Sequence, residues 1–180
     1  RKLLQEICGP KVDISNDKFP FMACAEITVL EGIPARLFRI SFSGELAYEI
    51  AVPRRYADFF VKRISEIGKK YSLVPYGTEA LGVMRIEKGH AAGNELNGQT
   101  TAHNLGLGKM VSKLNDCVGN SMSERDELNK DDALKLVGFI PTNKKQQLVA
   151  GSHFIEKGQI ANLENDQGWM SSVAFSPILN

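Results

Sequence analysis

The chain has 180 residues, of which 43% are hydrophobic and 24% charged, and its formal net charge is +1. These values are ordinary for a globular protein of one or two small domains, and the near-neutral charge with scattered Lys and Arg residues argues against a nucleic-acid partner. No apolar run approaches the roughly 20 residues that a membrane-spanning helix needs.

The cysteines and histidines indicate neither a disulfide framework nor a metal site. The three cysteines are widely spaced and form no CxxC pair, and the three histidines lack metal-ligand spacing. Free thiols of this kind are typical of a reducing compartment, so the sequence predicts a cytoplasmic protein. The cysteines are Cys8, Cys24 and Cys117.

The first half of the chain reads as a helix followed by three strands. The helix ends at Gly9-Pro10, and a strand is predicted over Met22–Val29. The next strand is Ala35–Phe42, and after a reversal at Gly44 a third strand begins at Tyr48. The sequence therefore predicts an antiparallel hairpin around Gly44.

Alternation in this hairpin divides its residues between two faces. Apolar side chains recur with period two on both sides of the reversal, which is typical of half-buried strands. Glu49 is on the opposite face, between Ala47 and Ala51, the next residues on that face. These small side chains leave space around its carboxylate. A carboxylate accepts hydrogen bonds from a ligand with adjacent N–H donors, but the pattern by itself favours an amphipathic strand with Glu49 on its solvent side. The predicted apolar face comprises Phe38, Ile40, Phe42, Tyr48, Ile50 and Val52.

Two helices follow. An apolar stripe runs from Tyr56 to Ile67 and stops at Gly68, and a second helix is predicted from Gly77-Thr78 to about Lys88. Gly82 inside that helix costs about 1 kcal/mol relative to Ala, which indicates close backbone packing. Strands followed by helices predict an α+β fold, an antiparallel sheet with helices on one face.

Arg85 on the second helix is a candidate binding residue. None of its neighbours on the same helix face is acidic. Such an arginine either points to water or meets a distant group, and its donors suit a carboxylate, a carbonyl or the edge of a planar ring.

Beyond Gly93 the sequence becomes loop-rich. A strand is predicted into Lys109–Ser112, and a charged helix over Ser121–Asn129. A candidate domain boundary lies at Lys130-Asp131-Asp132, after which short apolar stretches alternate with turns, as in a small β-barrel. The five stretches are Leu134–Ile140, Gln147–Val149, His153–Ile155, Gln159–Leu163 and Trp169–Phe175.

Several motifs follow one another along nearly the whole chain. They include Ser41-Phe42-Ser43-Gly44-Glu45-Leu46-Ala47-Tyr48-Glu49-Ile50, Pro75-Tyr76-Gly77-Thr78-Glu79-Ala80, Met84-Arg85-Ile86-Glu87-Lys88-Gly89, Gly93-Asn94-Glu95-Leu96-Asn97-Gly98 and Ser171-Ser172-Val173-Ala174-Phe175-Ser176-Pro177. In this order they resemble the folate-binding aminomethyltransferase family. This family includes the glycine cleavage T-protein and the C-terminal regions of sarcosine- and dimethylglycine-oxidising enzymes, and the motifs are most similar to those of the alpha subunits of heterotetrameric sarcosine oxidases.

The resemblance implies a role in one-carbon metabolism. Residues 1–130 would form part of the folate-binding region, and residues 131–180 a truncated C-terminal aminomethyltransferase-type β-barrel. Tetrahydrofolate held here would trap the one-carbon unit from demethylation of sarcosine to glycine as 5,10-methylenetetrahydrofolate. FAD, FMN and NAD would bind elsewhere in the parent complex. The other subunits of the oxidase would be the partners, and sarcosine the substrate.

The resemblance also assigns residues. Glu49 matches the family glutamate that contacts the pterin, Arg85 matches an arginine of the folate site, and Phe42 stands where the glycine-cleavage branch has a tyrosine. Phe42 keeps an aromatic wall for the flat ring without the hydroxyl. The family's catalytic aspartate belongs to a part of the fold that precedes Arg1, so the chain is expected to be a fragment with no catalytic residue and no activity in isolation.

Two alternatives stay open. One is a freestanding aminomethyltransferase of the glycine cleavage system, and the other is a non-catalytic folate-fold module used for subunit contacts. The substrate, sarcosine or dimethylglycine, is also open at this point.

Overall fold

The computed structural model describes residues 1–30, 32–111 and 118–179. Ser112 at the end of one predicted strand and the thiol of Cys117 lie outside the described residues. The contacts divide the chain into a first unit, Arg1–Leu81, and a second unit, Gly82–Asn180. The domain boundary predicted near residue 130 stays a prediction.

The first unit contains a three-stranded antiparallel sheet. Its strands are β1 (Cys24–Val29), β2 (Ile33–Phe38) and β3 (Glu49–Ala51), in the spatial order β1-β2-β3. Phe38 pairs with Glu49 at the start of the second hairpin. Gly44 in the connecting loop has φ of 93°, a left-handed conformation that glycine adopts without strain. The predicted antiparallel pairing about Gly44 is confirmed.

The face of β2 that packs inward differs from the prediction. Its odd-numbered residues are buried, whereas Pro34 and Arg36 are exposed. The expected apolar face through Phe38, Ile40 and Phe42 is wrong. The inward face of β2 is formed by its odd-numbered residues, and the strand ends at Phe38. Side chains alternate between the two faces of a strand, so a shift of the pairing register by one residue moves every side chain to the opposite face. The buried residues are Ile33, Ala35 and Leu37.

Two helices, α1 (Lys2–Cys8) and α2 (Ala57–Gly68), contribute to the core with the inner face of the sheet. The predicted end of α2 at Gly68 is confirmed. A Cβ at Gly68 would lie 2.6 Å from the Cβ of Leu73, so the chain following α2 passes too close for a larger residue. The buried core residues are Ile7, Cys8, Val29, Ile33, Ala35 and Phe60, and an adjoining cluster has Ile14, Phe19 and Leu37.

Helix α3 covers Thr78–Lys88, as predicted. It ends before Gly89, whose φ is 73°. A Cβ at Gly82 would have no described heavy atom within 4 Å, apart from its chain neighbours and the helix backbone. The close backbone packing expected at Gly82 is therefore not found in the part of the chain that the structure describes.

The second unit consists mostly of loops and short helical turns. Instead of a strand before residue 112, the structure has a 3₁₀ turn at Gly108–Met110. Of the charged helix predicted over Ser121–Asn129, only the start is α-helical, in α4 (Asn120–Ser123), and a 3₁₀ turn follows at Asp126–Leu128. In the described residues after 130 no strand occurs. One antiparallel bridge joins His153 and Trp169. The mixed α/β character is confirmed, but the structure does not show a C-terminal barrel.

Candidate functional site

Glu49 lies on the outward face of β3. It is exposed, as is Ala51, while Ile50 between them packs against both core clusters. Within the described ranges its carboxylate makes no hydrogen bond or ion pair with another side chain. An exposed carboxylate with small side chains beside it can accept hydrogen bonds from a ligand that carries N–H donors.

The first unit also has a shallow depression on its sheet and a loop that carries Phe42. The depression, of about 680 Å³, is lined by Glu26, Arg36 and Ala51 of the three strands, among others, and Glu49 is not part of its lining. Phe42 is 38% exposed in the loop between β2 and β3. The Ser41 hydroxyl accepts a hydrogen bond of 2.8 Å from the Gly44 N–H, which holds the turn after Phe42.

Arg85, in the second unit, meets distant groups of that unit. Its Nη1 lies 3.2 Å from Oε2 of Glu95, and the two side chains are 13% and 4% exposed. Its Nη2 donates a hydrogen bond of 2.7 Å to the Ser172 hydroxyl, and Nη1 also approaches the His90 carbonyl at 3.4 Å. Of the two alternatives left by the sequence, Arg85 therefore takes the distant partner.

The Glu95 carboxylate is fully engaged. Oε1 accepts a hydrogen bond of 2.6 Å from the Ser172 hydroxyl, and Oε2 accepts one of 2.8 Å from the Ala92 N–H. The Glu95 N–H in turn donates to the Ala92 carbonyl at 2.9 Å, so a tight turn after α3 presents the carboxylate to Arg85. Buried charges need this degree of pairing and hydrogen bonding.

The pKa of Glu95 shows which protonation state the site favours. Burial raises the pKa, but hydrogen bonds from Ser172, Ser171 and the Ala92 N–H, together with the Arg85 charge, outweigh it and hold the pKa below its ordinary value. Glu95 is therefore an anion at neutral pH, and the Arg85–Glu95 contact is an ion pair.

The structure thus adds two residues to those found from the sequence. Glu49 and Phe42 lie on one hairpin of the first unit, and Arg85 lies in the second unit with Glu95 and Ser172. The sequence analysis did not connect Glu95 and Ser172 with Arg85, although both occur in motifs that carry the family resemblance. Their spacing from Arg85, 10 and 87 residues, has no helical or strand period that links them to it.

Comparison with known proteins identifies the family. The sequence profile of the GCVT N-terminal domain matches residues 1–115. The chain belongs to the GCVT family. The resemblance found from the sequence motifs is thereby confirmed.

Relatives of this GCVT-family chain include subunits of named enzymes. It is 46% identical over 179 residues to the sarcosine oxidase subunit alpha of Rhizobium meliloti and 36% identical over 171 residues to that of Corynebacterium sp. strain P-1. These matches cover 98% and 93% of the chain but only 18% of each relative. It is also 34% identical over 116 residues to mouse mitochondrial dimethylglycine dehydrogenase, covering 64% of the chain and 13% of that relative.

The chain thus spans about one fifth of the length of the curated relatives it matches, and those relatives are oxidoreductases by name. In the parts of the chain that the structure describes, no helix is both long and apolar enough to cross a bilayer.

Proposed function

We propose that this chain is the tetrahydrofolate-binding region of a sarcosine oxidase alpha subunit. The observation that carries the proposal is the 46% identity over 98% of the chain to such a subunit. Tetrahydrofolate would supply the nucleophilic nitrogen that captures the one-carbon unit released when sarcosine is demethylated to glycine. The other oxidase subunits would be its partners, and the C-terminal barrel remains part of the proposal.

Three side chains of the chain have chemistry that suits such a ligand. Glu49 would accept hydrogen bonds from the amino and ring N–H groups of the pterin, since its exposed carboxylate has no partner among the described side chains. Phe42 would provide an aromatic surface for the flat ring. Arg85 would donate hydrogen bonds to an oxygen acceptor of the folate. These residues bind and orient the ligand, and none of them is proposed to be catalytic.

The test is a titration of the full-length parent subunit with tetrahydrofolate, comparing the native protein with Glu49→Gln. Gln keeps the shape but places an N–H against the ligand's N–H and removes the charge. Binding should weaken by about 1.5–3 kcal/mol, roughly 10- to 150-fold, with an unchanged melting temperature because the position is exposed. Equal affinities would refute the role of Glu49.

Glu26→Gln is the matched control. Glu26 is an exposed acid on the same sheet, opposite Arg36 on β2. Its replacement removes the same charge from the outward surface but should leave the affinity within about twofold of the native value. A loss as large as that of Glu49→Gln would indicate a general effect of charge rather than a pterin contact.

The two alternative functions, a freestanding aminomethyltransferase and a non-catalytic contact module, predict different properties of the full-length protein. A freestanding aminomethyltransferase would purify as one chain without flavin, whereas the proposal requires a flavin-containing complex of several subunits. A non-catalytic contact module would show no saturable tetrahydrofolate binding. The long match to the alpha subunits, against 64% coverage by dimethylglycine dehydrogenase, favours the sarcosine-oxidising parent.

A further inference from the structure

Three side chains of the second unit form a closed ring of hydrogen bonds. Nη1 of Arg85 contacts Oε2 of Glu95, Nη2 donates to the Ser172 hydroxyl, and that hydroxyl donates to Oε1 of Glu95. A serine hydroxyl has one proton, and a carboxylate can only accept. The direction of each bond is therefore fixed, with Ser172 accepting from Arg85 and donating to Glu95.

This ring uses one edge of the guanidinium group. In a bidentate arginine–carboxylate pair both parallel N–H bonds reach the acid directly. Here only Nη1 does so, at 3.2 Å, and Ser172 bridges the second bond with distances of 2.7 and 2.6 Å. The edge formed by Nη1 and Nη2 is thus occupied, and the His90 carbonyl, at 3.4 Å, takes the remaining proton of Nη1.

The other edge of the guanidinium is formed by Nε and Nη2. Nε–H and the second proton of Nη2 lie side by side by covalent geometry, and in the described residues no group accepts a hydrogen bond from them. Two parallel donors of this kind suit a planar oxygen acceptor. The side chain is 13% exposed, so its orientation is set by its partners rather than by water.

We propose that Glu95 is a positioning residue for Arg85, and that its carboxylate, bridged by Ser172, fixes one edge of the guanidinium so that the Nε–Nη2 edge binds a planar oxygen acceptor of the folate. This inference rests on the proposed function. Its physical basis is preorganisation, since a free arginine side chain loses rotamer entropy when a ligand fixes it, and the ring fixes the side chain before the ligand arrives.

The experiment measures tetrahydrofolate binding to the full-length parent subunit. Glu95→Gln and Ser172→Ala should each weaken binding by about 5- to 50-fold, because each breaks the ring without touching the ligand. Ser172→Thr keeps the hydroxyl and should restore the affinity to within about twofold. Arg85→Lys removes the planar fork and should weaken binding at least as much as Glu95→Gln.

A double-mutant cycle distinguishes positioning from general stabilisation. In the Arg85→Lys background the effect of Glu95→Gln on affinity should fall below about twofold, because Glu95 acts through the guanidinium. Melting temperatures measured in parallel report the structural contribution separately. The control is Glu87→Gln, since Glu87 is an exposed acid of α3 that accepts a 2.5 Å hydrogen bond from Ser176. This variant should bind as the native protein does.

The binding measurements distinguish failure of this inference from failure of the proposed function. If Arg85→Lys weakens binding while Glu95→Gln and Ser172→Ala do not, the inference is wrong and the proposed function stands. An undiminished effect of Glu95→Gln in the Arg85→Lys background also overturns it. If the native subunit does not bind tetrahydrofolate, the proposed function and the inference both fail. Should Glu95→Gln not fold, the contrast between Ser172→Ala and Ser172→Thr decides.

Discussion

Arg85 and Ser172 are 87 residues apart in the chain, and a hydrogen bond of 2.7 Å joins Nη2 of one to Oγ of the other. A second link, from the Asn94 side chain to the Ser171 carbonyl at 3.0 Å, runs alongside it. The segment around residues 171–172 is therefore attached to α3 and to the turn that follows it by polar contacts, although it forms no strand. The stability of this attachment depends on the ionisation of Glu95.

We expect the Glu95 network to make the chain less stable in acid. The pKa of Glu95 is lower in the folded state than its ordinary value of 4.5, so the unfolded state binds more protons between these values. The stabilisation is complete above the ordinary pKa and is lost as the pH falls through the lowered one. Urea unfolding from pH 7 to 3 should show that the difference between the native chain and Glu95→Gln shrinks below about pH 4.5.

Ser172→Ala is the companion variant for this measurement. It removes one of the hydrogen bonds that lower the pKa of Glu95, so its acid dependence should lie between those of the native chain and Glu95→Gln. A difference between native and Glu95→Gln proteins that stays constant down to pH 3 would contradict the lowered pKa.

Leu37 should be much more important for stability than the nearby Phe42. Leu37 has 0% exposure on the inner face of β2, whereas Phe42 is 38% exposed. Leu37→Ala should cost about 2–5 kcal/mol of unfolding free energy through lost burial and a residual cavity, and Phe42→Ala about 1 kcal/mol or less. Denaturant unfolding of the two variants measures both values, and the reverse order would support the face predicted from the alternation of Phe38, Ile40 and Phe42.

Replacing glycine by alanine should have opposite effects in two helices. At Gly68 the new Cβ would lie 2.6 Å from the Leu73 Cβ, and the Leu73 N–H is tied to the Gly68 carbonyl at 3.0 Å. The backbone must shift, so Gly68→Ala should destabilise the chain by about 1–3 kcal/mol. At Gly82 a Cβ would have no described heavy atom within 4 Å beyond its chain neighbours and the helix backbone, so Gly82→Ala should stabilise the chain by up to about 1 kcal/mol. Thermal unfolding would reveal the two signs, and stabilisation by both would mean that Leu73 yields easily.

Cys8 should react far more slowly than Cys24. Burial raises the pKa of the Cys8 thiol to about 11 from an ordinary 9.0, which lowers its thiolate fraction at pH 8 about 100-fold. Cys24 is exposed on β1. Iodoacetamide labelling of a Cys117→Ser protein, followed by peptide mass spectrometry, should find Cys24 modified first, with the difference abolished in denaturant. Equal rates in the native protein would contradict the burial of Cys8.

The sequence predicted the helices better than the strands, for physical reasons. The apolar stripe of α2 and the glycines after α2 and α3 are local signals, and both helices have nearly the expected bounds. Which residues of β2 face the core depends on where pairing with β1 begins, and the alternation of apolar residues alone does not define that point. In residues 131–179 short apolar runs are compatible with strands, but backbone pairing there consists of one bridge, His153 with Trp169, and the few hydrogen bonds around it, with no strand.

In the candidate site, too, the features that depend on local sequence were predicted and those that depend on long-range contacts were not. Glu49 was predicted on the outward face of its strand because alternation from Tyr48 to Val52 is local, and the structure confirms that placement. The role proposed for Glu49 comes from the family motif. Glu95 and Ser172 were missed as partners of Arg85, because a contact between a helix, a turn and a segment far along the chain leaves no periodic trace in the sequence.

The outward position of Glu49 in β3 is coupled to the burial of Ile50. The strand has three residues, and Leu37 is paired with Ile50 while Glu49 points outward. Sliding β3 by one residue would turn Glu49 toward Leu37 and Ile50 toward water, so a charge would enter the core and an apolar side chain would leave it. A single-residue insertion or deletion in the Gly44 loop is therefore tolerated only if the loop absorbs it, so the requirement to bury Ile50 by itself keeps Glu49 on the outward face.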